Sequence, residues 1–103
     1  MVTINYSGQW KTDLDMIGGY GVKVMYEENH YKWYSAQDLI EAMGDSFRDV
    51  DYHEVVEAVG QEHVARRETG WKRFFYVDLK GADYIAHKIN TTRALGIWDI
   101  LNG

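Results

Sequence analysis

The sequence predicts an α+β domain, with two β-hairpins forming a small antiparallel sheet packed with about four short helices. Three observations lead there. Two pairs of extended, aromatic-rich runs are each broken by turn residues. Between and after them, apolar residues recur at helical spacing behind capping residues. The length of 103 residues suits one modest core, so residues 1–103 are read as a single domain.

Met1 to Trp10 alternates loosely through Val2, Ile4 and Tyr6, which suits an edge strand ending at Ser7-Gly8. Lys11 to Ile17 has no clear period. Gly18-Gly19-Tyr20-Gly21 breaks the chain as a turn; no Lys-Ser/Thr follows, so it is not read as a phosphate loop. Val22, Val24 and Tyr26 then alternate with Lys23, Met25 and Glu27. Glu28-Asn29-His30 turns the chain, and Tyr31 to Tyr34 returns as the second strand of a hairpin.

Ser35 is the expected N-cap of a first helix, with Asp38 three residues on in a near capping-box pattern. Leu39, Ile40 and Met43 give it an apolar face and Gly44 ends it. Asp45 to Val50 reads as a loop anchored by Phe47. A second helix begins near Asp51, lined by Tyr52, Val55, Val56 and Val59, and stops at Gly60. Asp78 is expected to cap a third helix, with Leu79, Ala82, Ile85, Ala86 and Ile89 along one side. Asn90-Thr91-Thr92 interrupts it before a fourth helix carrying Ala94, Leu95, Trp98 and Leu101.

Hydrophobic content of 46% with 26% charged residues is that of a folded globule. Aromatics make up 15%, and tyrosine supplies eight of them, which suits recognition surfaces as well as cores. No apolar run reaches the roughly 20 residues of a membrane span, and no signal-like N-terminus is present, so no membrane partner is expected. The expected location is the cytoplasm of a bacterial host cell. The absence of cysteine removes disulfide and thiolate chemistry.

The net charge of −5 is unevenly placed. Residues 1–60 hold 11 acids and 4 bases, net −7; residues 61–103 hold 5 acids and 7 bases, net +2. Such asymmetry suggests one region for an anionic partner and another that repels it.

Much of the positive charge sits in a second hairpin, His63 to Asp78. With Thr69-Gly70 as its loop, Glu68 faces Trp71, Arg67 faces Lys72 and Arg66 faces Arg73. Two like-charge pairs side by side cost stability, which suggests an anion between them. Arg66, Arg67, Lys72 and Arg73 are therefore candidate phosphate contacts. Lys88 and Arg93, flanking the Asn90-Thr91-Thr92 break, join them. Trp71, Phe74 and Tyr76 serve the core or stack on bases.

Catalysis is not expected. The four histidines lie 23, 10 and 24 residues apart, without metal-ligand spacing, and no nucleophile motif appears. Neither a metal nor another cofactor is expected. Asp45, Asp49, Asp51 and Glu54 lack the pattern of a calcium loop and read as a solvated acidic face.

Lys32-Trp33-Tyr34-Ser35-Ala36-Gln37-Asp38-Leu39-Ile40-Glu41-Ala42-Met43-Gly44 resembles the opening of phage antirepressor N-terminal domains of the BRO-N type, where an aromatic strand end leads into a helix. Phe75 to Ala94 is similar to the second half of that domain, a strand, a helix, a polar break and a last helix. The resemblance covers residues 22–101, and the AntA and KilA-N antirepressor domains share a similar plan. It implies DNA binding, transcription regulation and, in antirepressors, binding to a repressor protein. Asn90-Thr91-Thr92-Arg93 stands where the family usually has a basic, proline-containing break.

Two functions follow as expectations. The first is a phage or prophage regulatory domain binding DNA, a repressor, or both, through the six named bases. The second is a small acidic inhibitor of a host or anti-phage protein, acting through Asp45, Asp49, Asp51 and Glu54 without DNA. The many exposed-type aromatics also suggest a homodimer.

Overall fold

The alternation of Val22 and Val24 with Lys23 is that of a strand with one face turned to a core, and the sheet grows around it. A computed structural model of the chain describes residues 2–3, 11–26, 32–69 and 72–103, with residues 2–3, 67–69 and 72–74 described by backbone alone. The described strands are β1 (Val2–Thr3), β2 (Lys11–Ile17), β3 (Tyr20–Tyr26), β4 (Lys32–Ser35), β5 (Val64–Thr69) and β6 (Lys72–Val77). They form one sheet in the order β1-β5-β6-β4-β3-β2. Every neighbouring pair is antiparallel except β1 with β5, which is parallel. The helices are α1 (Ala36–Ala42), α2 (Tyr52–Val59), α3 (Leu79–Ile89) and α4 (Thr92–Asn102). The fold is α+β.

Register assigns each strand its two faces. Val22, Val24, Tyr34, Val64, Phe75 and Val77 meet the helices, where Leu39, Ile40, Val55 and Ile85 are fully buried against them. Each such side chain contributes about 1.5–3 kcal/mol by leaving water. On the opposite face Met25, Trp33, Ala65 and Tyr76 form a second buried cluster. Adjacent residues such as Val24 and Met25 are thus both buried, which blurs the alternation in the sequence.

Lys11–Ile17, without a clear period in the sequence, is a full strand at the sheet's edge. Its pattern is weak because Asp13 and Asp15 share the helix face with Ile17, while Leu14 and Met16 stay exposed on the other. Gly18 and Gly19 join it to β3 with φ of 59° and 85°, the two positive values that a two-residue hairpin turn requires. The second turn, Glu28-Asn29-His30, lies outside the described residues, as do positions 4–10 of the expected first strand. The Asp45–Val50 loop contains a 3-10 turn, Phe47–Asp49.

The register of the charged hairpin differs from expectation by two residues. Thr69 pairs with Lys72, Glu68 with Arg73, Arg67 with Phe74 and Arg66 with Phe75. Opposite charges therefore stand across from one another at Glu68 and Arg73, and neither like-charge pair forms. The far end of the ladder explains the difference. Val77 pairs with Val64, and the Asp78 N–H donates to the His63 carbonyl at 3.3 Å. The expected register would have set buried Val77 across from Glu62 instead.

Ser35 and Asp78 cap their helices as expected, and Asp51 and Thr91 cap the other two. Side-chain oxygens of Ser35, Asp51, Asp78 and Thr91 accept backbone N–H groups of Asp38, His53, Gly81 and Ala94. Two helix faces differ from the expected ones. Leu79, at the start of α3, is 42% exposed, and Ile97, not Leu95 or Trp98, is the buried large residue of α4. Among the described residues no helix is long and apolar enough to cross a membrane.

Candidate nucleic-acid interface

Where β5 and β6 leave the core, the hairpin passes the 3-10 turn and the N-terminus of α2. Phe47, Arg48, Val50, Asp51, Tyr52, Arg66 and Phe75 line an open cleft there of about 310 Å³. The site follows from local sequence. Ser46 caps the 3-10 turn by accepting the Arg48 N–H at 3.3 Å, and Val50 is buried one residue beyond it.

The walls are aromatic. Phe47 and Phe75 have ring centroids 5.6 Å apart, and Tyr52 and Phe75 are 6.0 Å apart, both in tilted contacts. Phe75 is register partner of Arg66, so the hairpin supplies a ring and a guanidinium to the same cleft. Asp51 also lines the cleft, and its carboxylate accepts the His53 N–H at 3.2 Å. Two arginines and three rings can hold a planar ligand bearing negative charge.

Of the six bases expected to contact nucleic acid, Arg66 lines this cleft. Arg67, Lys72 and Arg73 continue along the same hairpin, and their side chains lie outside the described residues. Lys88 and Arg93 are elsewhere and are occupied. Lys88 donates to Glu54, which also accepts the Tyr84 hydroxyl at 3.1 Å. The bond from Lys88 holds the Glu54 carboxyl below its ordinary range, and the same bond raises Lys88. Burial, then the bond to Glu54, raises Tyr84.

Arg93 closes the C-terminus of α1. Its Nε donates to the Ala42 carbonyl at 2.8 Å and an Nη to Glu41 at 3.4 Å, while the guanidinium lies 4.5 Å over the Tyr20 ring. The candidate acids are also dispersed in role. Asp45 accepts the Ser46 N–H at 2.7 Å, Asp49 is exposed on the 3-10 turn, Asp51 caps α2, and Glu54 is paired with Lys88.

Sequence reasoning did not select Arg48, Phe47 or Tyr52 for the site, treating the two rings as core. The available signal was Phe-Arg next to a second aromatic-bearing helix start, but only the fold brings them to Arg66. Among the described residues no three His, Cys, Asp or Glu groups cluster as a metal site. Comparison with family models, with curated proteins and with solved structures returned no match.

Proposed function

We propose that this chain is a nucleic-acid-binding regulatory module of the phage antirepressor kind that its sequence resembles. One observation carries the reading: Arg66 of the hairpin and Arg48 of the 3-10 turn line one cleft walled by Phe47, Tyr52 and Phe75. Guanidinium groups suit phosphate oxygens, and aromatic rings suit bases. By register Arg73 belongs to the face of the hairpin that carries Arg66 and Phe75, while Arg67 and Lys72 belong to the other face. Binding to a repressor protein is part of the same proposal, since the resemblance implies it. The acidic-inhibitor reading has less support, because Glu54 is already engaged by Lys88 and Asp51 by the cap of α2.

Fluorescence anisotropy with labelled single- and double-stranded 20-mers, at several salt concentrations, tests the proposal. Wild type should bind with a salt dependence of about one counterion per phosphate contact. Arg48→Ala with Arg66→Ala should weaken binding about tenfold or more and flatten the salt slope by roughly two. The Arg66/Arg67/Lys72/Arg73 quadruple alanine variant should weaken it further. Binding equal to wild type in both variants, or no wild-type binding at low salt, overturns the reading.

A further inference from the structure

Strand β2 is an open edge of the sheet, with β3 on one side and no described strand on the other. Its outward backbone is identifiable. The Leu14 N–H donates to the Asp13 carboxylate at 2.8 Å, and its cross-strand partner Lys23 gives its own N–H to Asp38 at 2.9 Å. The Leu14–Lys23 pair therefore exchanges no ladder bonds, and Thr12, Leu14 and Met16 turn their peptide groups to the open side.

The side chains along this edge are unusual for a monomer surface. Leu14 is 56% exposed, Met16 64% and Ile100 of α4 53%. These three border one hollow of about 330 Å³, which Leu101 and Asp15 also line. An edge with outward-facing peptide groups, exposed apolar side chains and an adjoining hollow is a template for another strand.

Charge selects the occupant. On the helix face of β2 stand Asp13 and Asp15; Asp15 already accepts Lys32 Nζ at 3.0 Å, a bond that raises the lysine's pKa. A second copy pairing antiparallel about Leu14 would set each Asp13 against an Asp15. The registers on either side would set Asp13 against Asp13 or Asp15 against Asp15. Like charges directly opposite are destabilising, so these registers oppose a second copy, and the one centred on Thr12, which sets Asp13 against Lys11, is distinguished by sedimentation. A strand with lysine or arginine at alternate positions meets those acids favourably, its aliphatic stems resting on the hollow and its apolar residues beside Leu14 and Met16.

We propose that the β2 edge docks an extended segment of a partner protein that alternates basic and apolar residues, adding it to the sheet as a further strand. Docking displaces the Asp13 carboxylate from the Leu14 N–H, which then bonds the incoming backbone.

The test is an amide-resolved NMR titration of the full chain with acetyl-Val-Lys-Val-Lys-Val-Lys-amide, its glutamate counterpart, and the lysine peptide N-methylated at alternate residues. The lysine peptide should shift β2 amides and the C-terminal turn of α4. The glutamate and N-methylated peptides should bind at least about tenfold more weakly, since strand addition needs backbone bonds as well as charge. Asp13→Lys, which leaves the Asp15–Lys32 pair in place, should reduce the preference for lysine over glutamate while the chain stays folded by circular dichroism. Equal binding of the N-methylated peptide, or shifts centred away from β2, overturns the proposal. So does a dimer in sedimentation whose β2 amides are protected from exchange.

Discussion

The Asp38 carboxylate accepts the backbone N–H of Lys23 at 2.9 Å, joining the first turn of α1 to a strand 15 residues earlier. In a closed capping box this carboxylate would reach back toward Ser35. Here Ser35 still accepts the Asp38 N–H at 3.3 Å, but the acid faces the sheet, with Lys23 Nζ a further 3.8 Å away. One side chain thus serves the helix N-terminus, where negative charge is favoured, and an otherwise unpaired strand N–H. Asp38→Ala should cost about 1–2 kcal/mol in urea unfolding, and Asp38→Asn, which keeps an acceptor, less than half of that. Equal losses in the two variants would mean that charge, not the hydrogen bond, matters.

Asp78 plays a comparable part at the start of α3 and is only 5% exposed. It accepts the Gly81 N–H at 3.1 Å, and His63 Nδ1 lies 2.5 Å from its other oxygen. The pair ties the end of β6 to the turn that opens β5. Asp78→Ala removes a cap and leaves the imidazole without this partner, so a loss of about 2–3 kcal/mol is expected. His63→Ala should cost less, because the cap to Gly81 survives. Denaturant melts of the two variants side by side decide the order.

The Glu54–Lys88 pair gives a pH signature. Glu54 is lowered from 4.5 by the Lys88 bond, so its contribution is fully present above the unfolded-state value and is lost as pH falls through the lower folded one. Lys88 is raised from 10.5 by the same bond, so its contribution holds below that value and is lost as pH rises through the folded one. With side chains 34% and 31% exposed, the pair is screened by salt. Glu54→Gln should therefore flatten the decline in stability as pH falls below 4.5, most visibly at low salt. An unchanged acid limb would show the pair to be thermodynamically silent.

How much of this was legible depended on whether a residue's role was local. Ser35 and Asp78 each cap an N–H three residues on, and those capping roles were read from spacing. The helix faces containing Leu39, Val55 and Ile85 were readable for the same reason. The hairpin register was not, because it is set by the distant requirement that Val77 meet Val64. The cleft was not either: Arg48 and Arg66 are 18 residues apart and are brought together only by packing of the 3-10 turn on Phe75. Strand β2 hid because Asp13 and Asp15 share the helix side with Ile17, while Leu14 and Met16 take the other.

Arg93 is a cation that holds the fold. It was expected to contact nucleic acid, yet its guanidinium is directed at the Ala42 and Glu41 carbonyls and the face of Tyr20. It also lies against Gly44, where φ is +83° and an added Cβ would come within 3.2 Å of the arginine. The left-handed turn after α1 and the arginine are thus one joint between α4, α1 and β3. Lysine cannot reproduce it, since a planar group is needed to donate in two directions while lying flat on a ring. Arg93→Ala and Arg93→Lys should each lose about 1–2 kcal/mol of stability, from the carbonyl bonds and the cation–π contact. Below their unfolding transitions both variants should bind the labelled 20-mers within about twofold of wild type, because no phosphate contact has been removed. Unfolding curves and anisotropy on the same preparations separate the roles, and an affinity loss like that of Arg66→Ala would return Arg93 to the interface.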